Sequence, residues 1–362
     1  MDKKQNKKSF WRMFWASTLS KLLTSVIIGL VFLFIIMGVV GAIVGGVVAE
    51  PLMVKENSIL HMKLTGSIGE TSKAEFNPMA MKLNSSLGLS DILIGIEEAA
   101  KDKNIDGIYL ELGSISAGLA TVTEIREALS KFKESGKFLI AYNSGEAITQ
   151  KGYYLTSVAD ECYGFPTSMF EWMGLSSERM FYKGLLEKLD VKVQIIRGSD
   201  NDFKSAVEPF FMEKMSDSNR VQTETYLNSI WNNMLTDISK SRDVSIAKLN
   251  EIADSLYVTR NNDAVTYGLL DSTMYLDNIY DKLLAKTGTQ NLRDLQLVDF
   301  TKYARKKAMD KVINDDFEEQ NMAIIIAEGN VTTGEGDGLA SGRICKYIRD
   351  ARLDNKIKTI VL

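Results

Sequence analysis

With 362 residues and 45% hydrophobic content, the chain can bury a substantial core and has room for two domains of about 100 to 200 residues each. Its net charge is −4, but the first 21 residues set six basic side chains against Asp2, giving +5 there and −9 beyond; a net-acidic body with no basic stripe argues against nucleic acid as a partner. Cys162 and Cys345 match neither a disulfide framework nor a zinc knuckle, and with His61 the only histidine, Ser-His-Asp, Cys-His and HExxH chemistry is close to excluded; a hydrolytic base would have to be Lys, Asp or Glu.

Residues 1–21 form a basic arm. From Leu22 to Ala49 no charge interrupts 28 residues, where a spanning helix needs about 20, so 22–49 reads as a transmembrane anchor. The positive-inside rule puts the arm in the cytoplasm and the soluble body on the far side, as expected of a single-pass protein of the inner (cell) membrane. Val47-Val48-Ala49 would also suit a signal-peptide cleavage site, but the apolar run far exceeds the 7 to 15 residues of a signal core, so an uncleaved anchor in the lipid bilayer is preferred.

Past the anchor the pattern becomes soluble α/β. NSILHMKL alternates like a strand, and its His61 reads as a strand histidine satisfied by packing and hydrogen bonds. SDILIGIEEAAKD carries a helical face through Ile92, Ile96, Ala99 and Ala100, and IDGIYLEL returns to strand composition. Thr121 and Glu124 read as a T-x-x-E capping box, Gly136 ends that helix, and KFLIAYN follows as a strand. A helix through ITQKGYYLTSVA, short strands near ECYGF and WMGLS, a helix ERMFYKGLLEKL and a buried strand VKVQIIRG complete the series. Such alternation predicts right-handed crossovers and a mainly parallel sheet over 55–215. Residues 216–315 read as a helical connecting or oligomerisation region, with Val221, Leu227, Ile230, Trp231, Met234, Leu235 and Ile238 in one apolar stripe.

The chain then repeats. IEEAAKDKNIDGIYL (96–110) aligns without a gap on IRDARLDNKIKTIVL (348–362), and LHMKLTGSIGE resembles IIIAEGNVTTGE upstream, so residues 321–362 read as the start of a second α/β copy, with the sequence truncated inside it.

One lysine stands apart, Lys204 in DNDFKSAVEPF, amid Phe203, Ala206, Val207, Pro209, Phe210 and Phe211. The segment FKSAVEPF, together with RDARLDNKIKTIVL, YKGLLEKL and AVTYGLLD, resembles the long, double-domain form of the signal peptide peptidase A (protease IV) family, membrane-anchored serine proteases on the Clp/crotonase-like fold. The resemblance implies that Lys204 is the general base of a Ser-Lys dyad, that the nucleophilic serine and its Gly-rich oxyanion turn lie beyond Leu362, that peptides such as remnant signal peptides are the substrates, and that the protein is a homotetramer. No cofactor and no metal are implied.

A base lysine must be neutral near pH 7, several units below an ordinary value of about 10.4, and an apolar enclosure does this by desolvation. In the first copy the family's Ser-Gly-Gly-Tyr position reads TQKGYYL, placing Gln150, which cannot attack, where the nucleophile would stand. The turn GSISAGLA has Gly118 but no paired glycines for an oxyanion hole. Ser144 and Ser205 are formal nucleophile candidates better read as structural hydroxyls, and Glu208 either orients Lys204 or is a surface carboxylate. The first copy is thus expected to donate only the base, leaving the 362-residue form inactive alone. The alternatives are a noncatalytic membrane-anchored scaffold and, less favoured, an acyl-CoA enzyme of the crotonase type.

Overall fold

The computed structural model describes residues 3–47, 52–77, 82–198, 201–314, 321–336 and 338–362. Contacts divide the chain into two units, Met1–Met53 with Lys73–Ser86, and Val54–Ser72 with Leu87–Leu362. In the first, α1 (Lys3–Val47) is a single helix, and its stretch Phe14–Phe34, of mean hydropathy 1.9, is long and apolar enough to cross a membrane. Residues 48 and 49 of the expected anchor lie outside the described residues.

The second unit is built on β1 (Ser58–Ser67). The chain departs through an antiparallel hairpin belonging to the first unit, β2 (Lys73–Asn77) and β3 (Lys82–Ser86), and returns as α2 (Leu89–Lys101), β4 (Ile105–Ser116), α3 (Leu119–Lys133) and β5 (Phe138–Asn143). Next come β6 (Ala147–Ile148), α4 (Gln150–Thr156), β7 (Glu161–Gly164), β8 (Met169–Phe170), α5 (Lys183–Lys188) and α6 (Glu208–Phe211). A helical stretch follows: α7 (Asp217–Arg242), α8 (Ile246–Asp254), α9 (Asn261–Thr266), the two-residue β9 (Ser272–Thr273), α10 (Leu276–Thr287), β10 (Leu297–Asp299) and α11 (Phe300–Asn314). The chain closes with β11 (Met322–Ile324), β12 (Val331–Thr332), β13 (Leu339–Ala340), α12 (Ser341–Leu353) and β14 (Thr359–Val361).

Six strands form one wholly parallel sheet in the order β10-β1-β4-β5-β7-β9, with Leu60 opposite Ile108, Ile108 opposite Leu139 and Ala141 opposite Cys162. Helices cover both faces, which is why the strands read as near-continuous apolar runs. Because successive residues point to opposite faces, Ile59, Tyr109, Ile140, Tyr142 and Tyr163 meet Ile279 and Leu283 of α10, while Ile92 and Ile96 of α2 and Val122, Ile125 and Leu129 of α3 are fully buried in helices of the same unit. Helix α2 approaches α11 so closely that a Cβ on Gly95 would lie 2.6 Å from the Ala304 Cβ. This is an α/β fold with a parallel sheet and flanking helices, as the sequence reading expects.

Several expectations are corrected. Thr121 and Glu124 lie inside α3, whose N-cap is Gly118, so they form no capping box: the helix begins three residues earlier than the polar pattern suggests. ERMFYKGLLEKL is helical only over Lys183–Lys188, and WMGLS is not a strand, the short strand there being Met169–Phe170. VKVQIIRG pairs with no strand among the described residues and is not buried, Ile196 being 88% exposed. Strand composition becomes a strand only where a neighbour supplies the other half of the ladder. Residues 216–315 are mainly helical but also supply both edge strands of the sheet, β9 and β10.

Two stretches of the backbone share a local pattern. Helices α2 and α12 are each 13 residues, 252 positions apart from Leu89 to Ser341, and each ends on an extended aspartate, Asp102 or Asp354, whose N–H bonds the carbonyl four residues back. Each aspartate also accepts through its carboxylate from the N–H two residues on, and each helix leads to a strand parallel to the one before it, β4 on β1 and β14 on β11.

Candidate functional site

Lys204 sits on a turn after Asn201 and donates its backbone N–H to the Asn201 carbonyl at 3.0 Å. The Arg197 guanidinium ties this loop by donating to the carbonyls of Asn201 (2.8 Å) and Lys204 (3.2 Å), and Arg179 donates to the Ser205 hydroxyl at 3.3 Å. The apolar enclosure expected of Lys204 is not formed among the described residues. Lys204 is exposed, Phe203 and Phe210 are 58% and 43% exposed, and the ammonium makes no hydrogen bond or ion pair among the described residues.

Glu208 settles into a structural role. It is 2% exposed and accepts from the Ser216 hydroxyl at 2.5 Å, the Asn219 amide at 2.6 Å and the Ser216 N–H at 3.4 Å. Burial alone would raise its pKa, but these bonds outweigh it and hold the carboxyl below its ordinary value. Since Ser216 is the N-cap of α7, Glu208 fixes the start of that helix.

At the start of α4, Thr149 caps the helix by accepting from the Gly152 N–H, leaving the Gln150 side chain to reach across to a neighbouring stretch of backbone. Its Oε1 accepts from the N–H groups of Met173 and Gly174, each at 3.1 Å, and its Nε2 donates to the Gly174 carbonyl at 3.0 Å. A cavity of about 240 Å³ lies nearby in sequence, lined by Ser144, Gly145, Glu146, Phe165, Thr167 and Ser168.

A polar cluster that sequence reasoning missed stands on the α10 side of the sheet. Glu111 accepts from His61 Nε2 at 2.8 Å, Lys63 Nζ at 2.9 Å and the Ser144 hydroxyl at 3.2 Å, and His61 stacks on Tyr109 with ring centroids 4.8 Å apart. The His61 hydrogen bond is the main cause that holds the Glu111 carboxyl down to about 2, with burial opposing and Lys63 reinforcing. The signal was present: His61 and Lys63 are two apart on β1, Glu111 is two beyond Tyr109 on β4, and His61 pairs with Tyr109 in register. The carboxylate stands between serine and histidine, so the order is wrong for a catalytic triad; Ser144 donates to Glu111, and Ser205 accepts from Arg179. Among the described residues no group of three or more His, Cys, Asp or Glu is placed to hold a metal ion.

The segment carrying Gln150, the Glu161–Gly164 strand, Lys204 and Glu208 falls within residues 131–290, which match the model for Peptidase family S49. Over these residues the chain is similar to that family. Its likeness to curated proteases extends beyond them. Protease 4 of Salmonella typhi is 30% identical over 314 residues, covering 82% of this chain and 48% of that protein. Protease 4 of Haemophilus influenzae is 29% identical over 286 residues, 75% of this chain and 45% of that protein, and the chloroplastic serine protease SPPA of Arabidopsis thaliana is 27% identical over 321 residues, 85% and 44%. The chain spans about half the length of these relatives.

Proposed function

We propose that the protein is a membrane-anchored serine endopeptidase working through a Ser-Lys dyad, in which this chain contributes Lys204 as base and the attacking serine lies outside residues 1–362. The observation that carries this reading is the position of Lys204 inside the S49 match, on a loop held by Arg197 and Arg179. Gln150 at the first copy's nucleophile position has no nucleophilic atom, and Ser144 and Ser205 are bound elsewhere, which agrees with a half that donates a base alone.

In the proposed reaction the neutral Lys204 amine takes the serine hydroxyl proton as the oxygen attacks the peptide carbonyl, then returns it to the departing amine. Water repeats the cycle on the acyl-enzyme. Activity therefore requires the exposed Lys204 loop to be covered by further polypeptide, so that the amine is dry when substrate is bound. Residues 22–49 would hold the enzyme in the inner membrane with residues 1–21 in the cytoplasm. The substrates would be peptides such as remnant signal peptides, and the assembly a homotetramer, with residues 55–215, 216–315 and 321–362 as first copy, connecting region and second copy.

A noncatalytic membrane scaffold is the second reading, favoured by the exposure of Lys204 in this chain. Labelling of the natural full-length polypeptide with a serine-directed phosphonate separates the two. A single labelled serine, modified at least a hundredfold more slowly in Lys204→Ala, is expected; absence of labelling, or labelling indifferent to Lys204, would sink the dyad. The 362-residue chain by itself should cleave no peptide.

A further inference from the structure

The side-chain amide of Gln150 treats the backbone at 173–174 as a strand treats its neighbour. Its oxygen meets two N–H groups and its nitrogen meets one carbonyl, three of the four bonds a primary amide can make. Gly174 takes a φ of +82°, a backbone conformation open to glycine at little cost, and it is in this conformation that both its N–H and its carbonyl bond Gln150. Gln150 itself is anchored, because β6 pairs with β8, Glu171 N–H bonds the Ile148 carbonyl, and Thr149 caps α4.

Beyond Gly174 the chain runs to Tyr182 without helix or strand, then touches the lysine loop at two points. Arg179 donates to the Ser205 hydroxyl, and the Tyr182 N–H bonds the Pro209 carbonyl at 2.7 Å. These two bonds bracket the short stretch that begins one residue after Lys204. Little else fixes residues 175–180, since Leu175 and Met180 are exposed and no backbone bond is made by this stretch among the described residues. The three Gln150 bonds are therefore the last firm attachment between the sheet and the Lys204 loop on this side.

We propose that Gln150 is a positioning residue for Lys204: its amide clamps residues 173–174, and the strap from 174 to 182 transmits that hold to the loop at 204–209. This rests on Lys204 being the base. A residue useless as a nucleophile thereby acquires a role in the same reaction, by setting where the amine stands relative to a hydroxyl it must reach within hydrogen-bond distance.

The test compares Gln150→Ala and Gln150→Glu with the wild type, and Gln150→Glu guards against a failure of Gln150→Ala to fold because it keeps the two accepted bonds and suits the first turn of a helix. In the 362-residue chain, Gln150→Ala should accelerate amide exchange at least tenfold at Met173 and Gly174, and also at Tyr182 and Lys204, while β4 and β5 amides stay protected; Gln150→Glu should be intermediate. In the natural full-length polypeptide, Gln150→Ala should lower kcat about tenfold with KM within twofold, and displace the acid limb of the kcat profile against pH, with partial recovery in Gln150→Glu. Exchange that quickens only at 173–174, with kcat and the pH profile at wild-type values, would overturn the proposal. Wild-type turnover by Lys204→Ala would instead overturn the base assignment on which it rests, and the exchange at Tyr182 and Lys204 tells the two failures apart.

Discussion

Glu111 is ionised, nearly buried and bonded by three donors, and its acidity shapes how the fold responds to pH. Its carboxyl is depressed to about 2 in the fold, so its contribution is present above the ordinary value of 4.5 and lost as pH falls toward 2. That window is worth on the order of 3 kcal/mol at most. Glu111→Gln should flatten the loss of unfolding free energy between pH 4.5 and 2.5 and lower stability at pH 7 by about 1–3 kcal/mol, measured by urea titration at each pH; an unchanged acid limb would show that the cluster is solvent-screened. For Glu208, which holds the Ser216 cap of α7, Glu208→Ala leaves the Ser216 and Asn219 donors without their carboxylate acceptor, and a loss of about 1–3 kcal/mol is expected in the same assay. Neither role was legible in the sequence. Composition marks Glu208 only as the residue before a proline, and His61, Lys63 and Glu111 become partners only through a parallel register that spans 50 positions.

Elements were legible wherever local pattern and burial agree. The strands around Ile108 and Ile140 and the helices through Ile96 and Leu129 follow their apolar periods and fill both sides of the sheet. Residues 191–198 misled because valines and isoleucines announce a strand without saying what it pairs with, and Val191, Val193 and Ile196 lie largely exposed. The start of α3 misled because a glycine, not a threonine, holds the N-cap. Close packing gives an element-scale test. Gly95 permits α2 and α11 to meet with Phe300 and Ala304 against its backbone, so Gly95→Val should force them apart and cost about 1–3 kcal/mol, with exchange quickening along α11 more than at β5. Undiminished thermal stability of that variant would mean that the helix pair has slack.

For the whole molecule, the apolar amino-terminal helix and the matching helices 252 residues apart were both readable from sequence, since an uncharged run and a fixed spacing survive without tertiary knowledge. The exposure of Lys204 was not, because an apolar neighbourhood in sequence becomes a dry pocket only when other surfaces close over it. Membrane attachment is expected to withstand carbonate and high-salt washes in the 362-residue protein and to be lost when residues 1–53 are removed; release of the intact chain by carbonate would contradict a spanning helix. Most directly, peptide hydrolysis by the natural full-length polypeptide should be compared with that of its Lys204→Ala variant, with folding checked by circular dichroism. A fall in kcat/KM of at least a hundredfold in a folded variant is the expected result, and hydrolysis within threefold of wild type would contradict the assignment of Lys204 as the base.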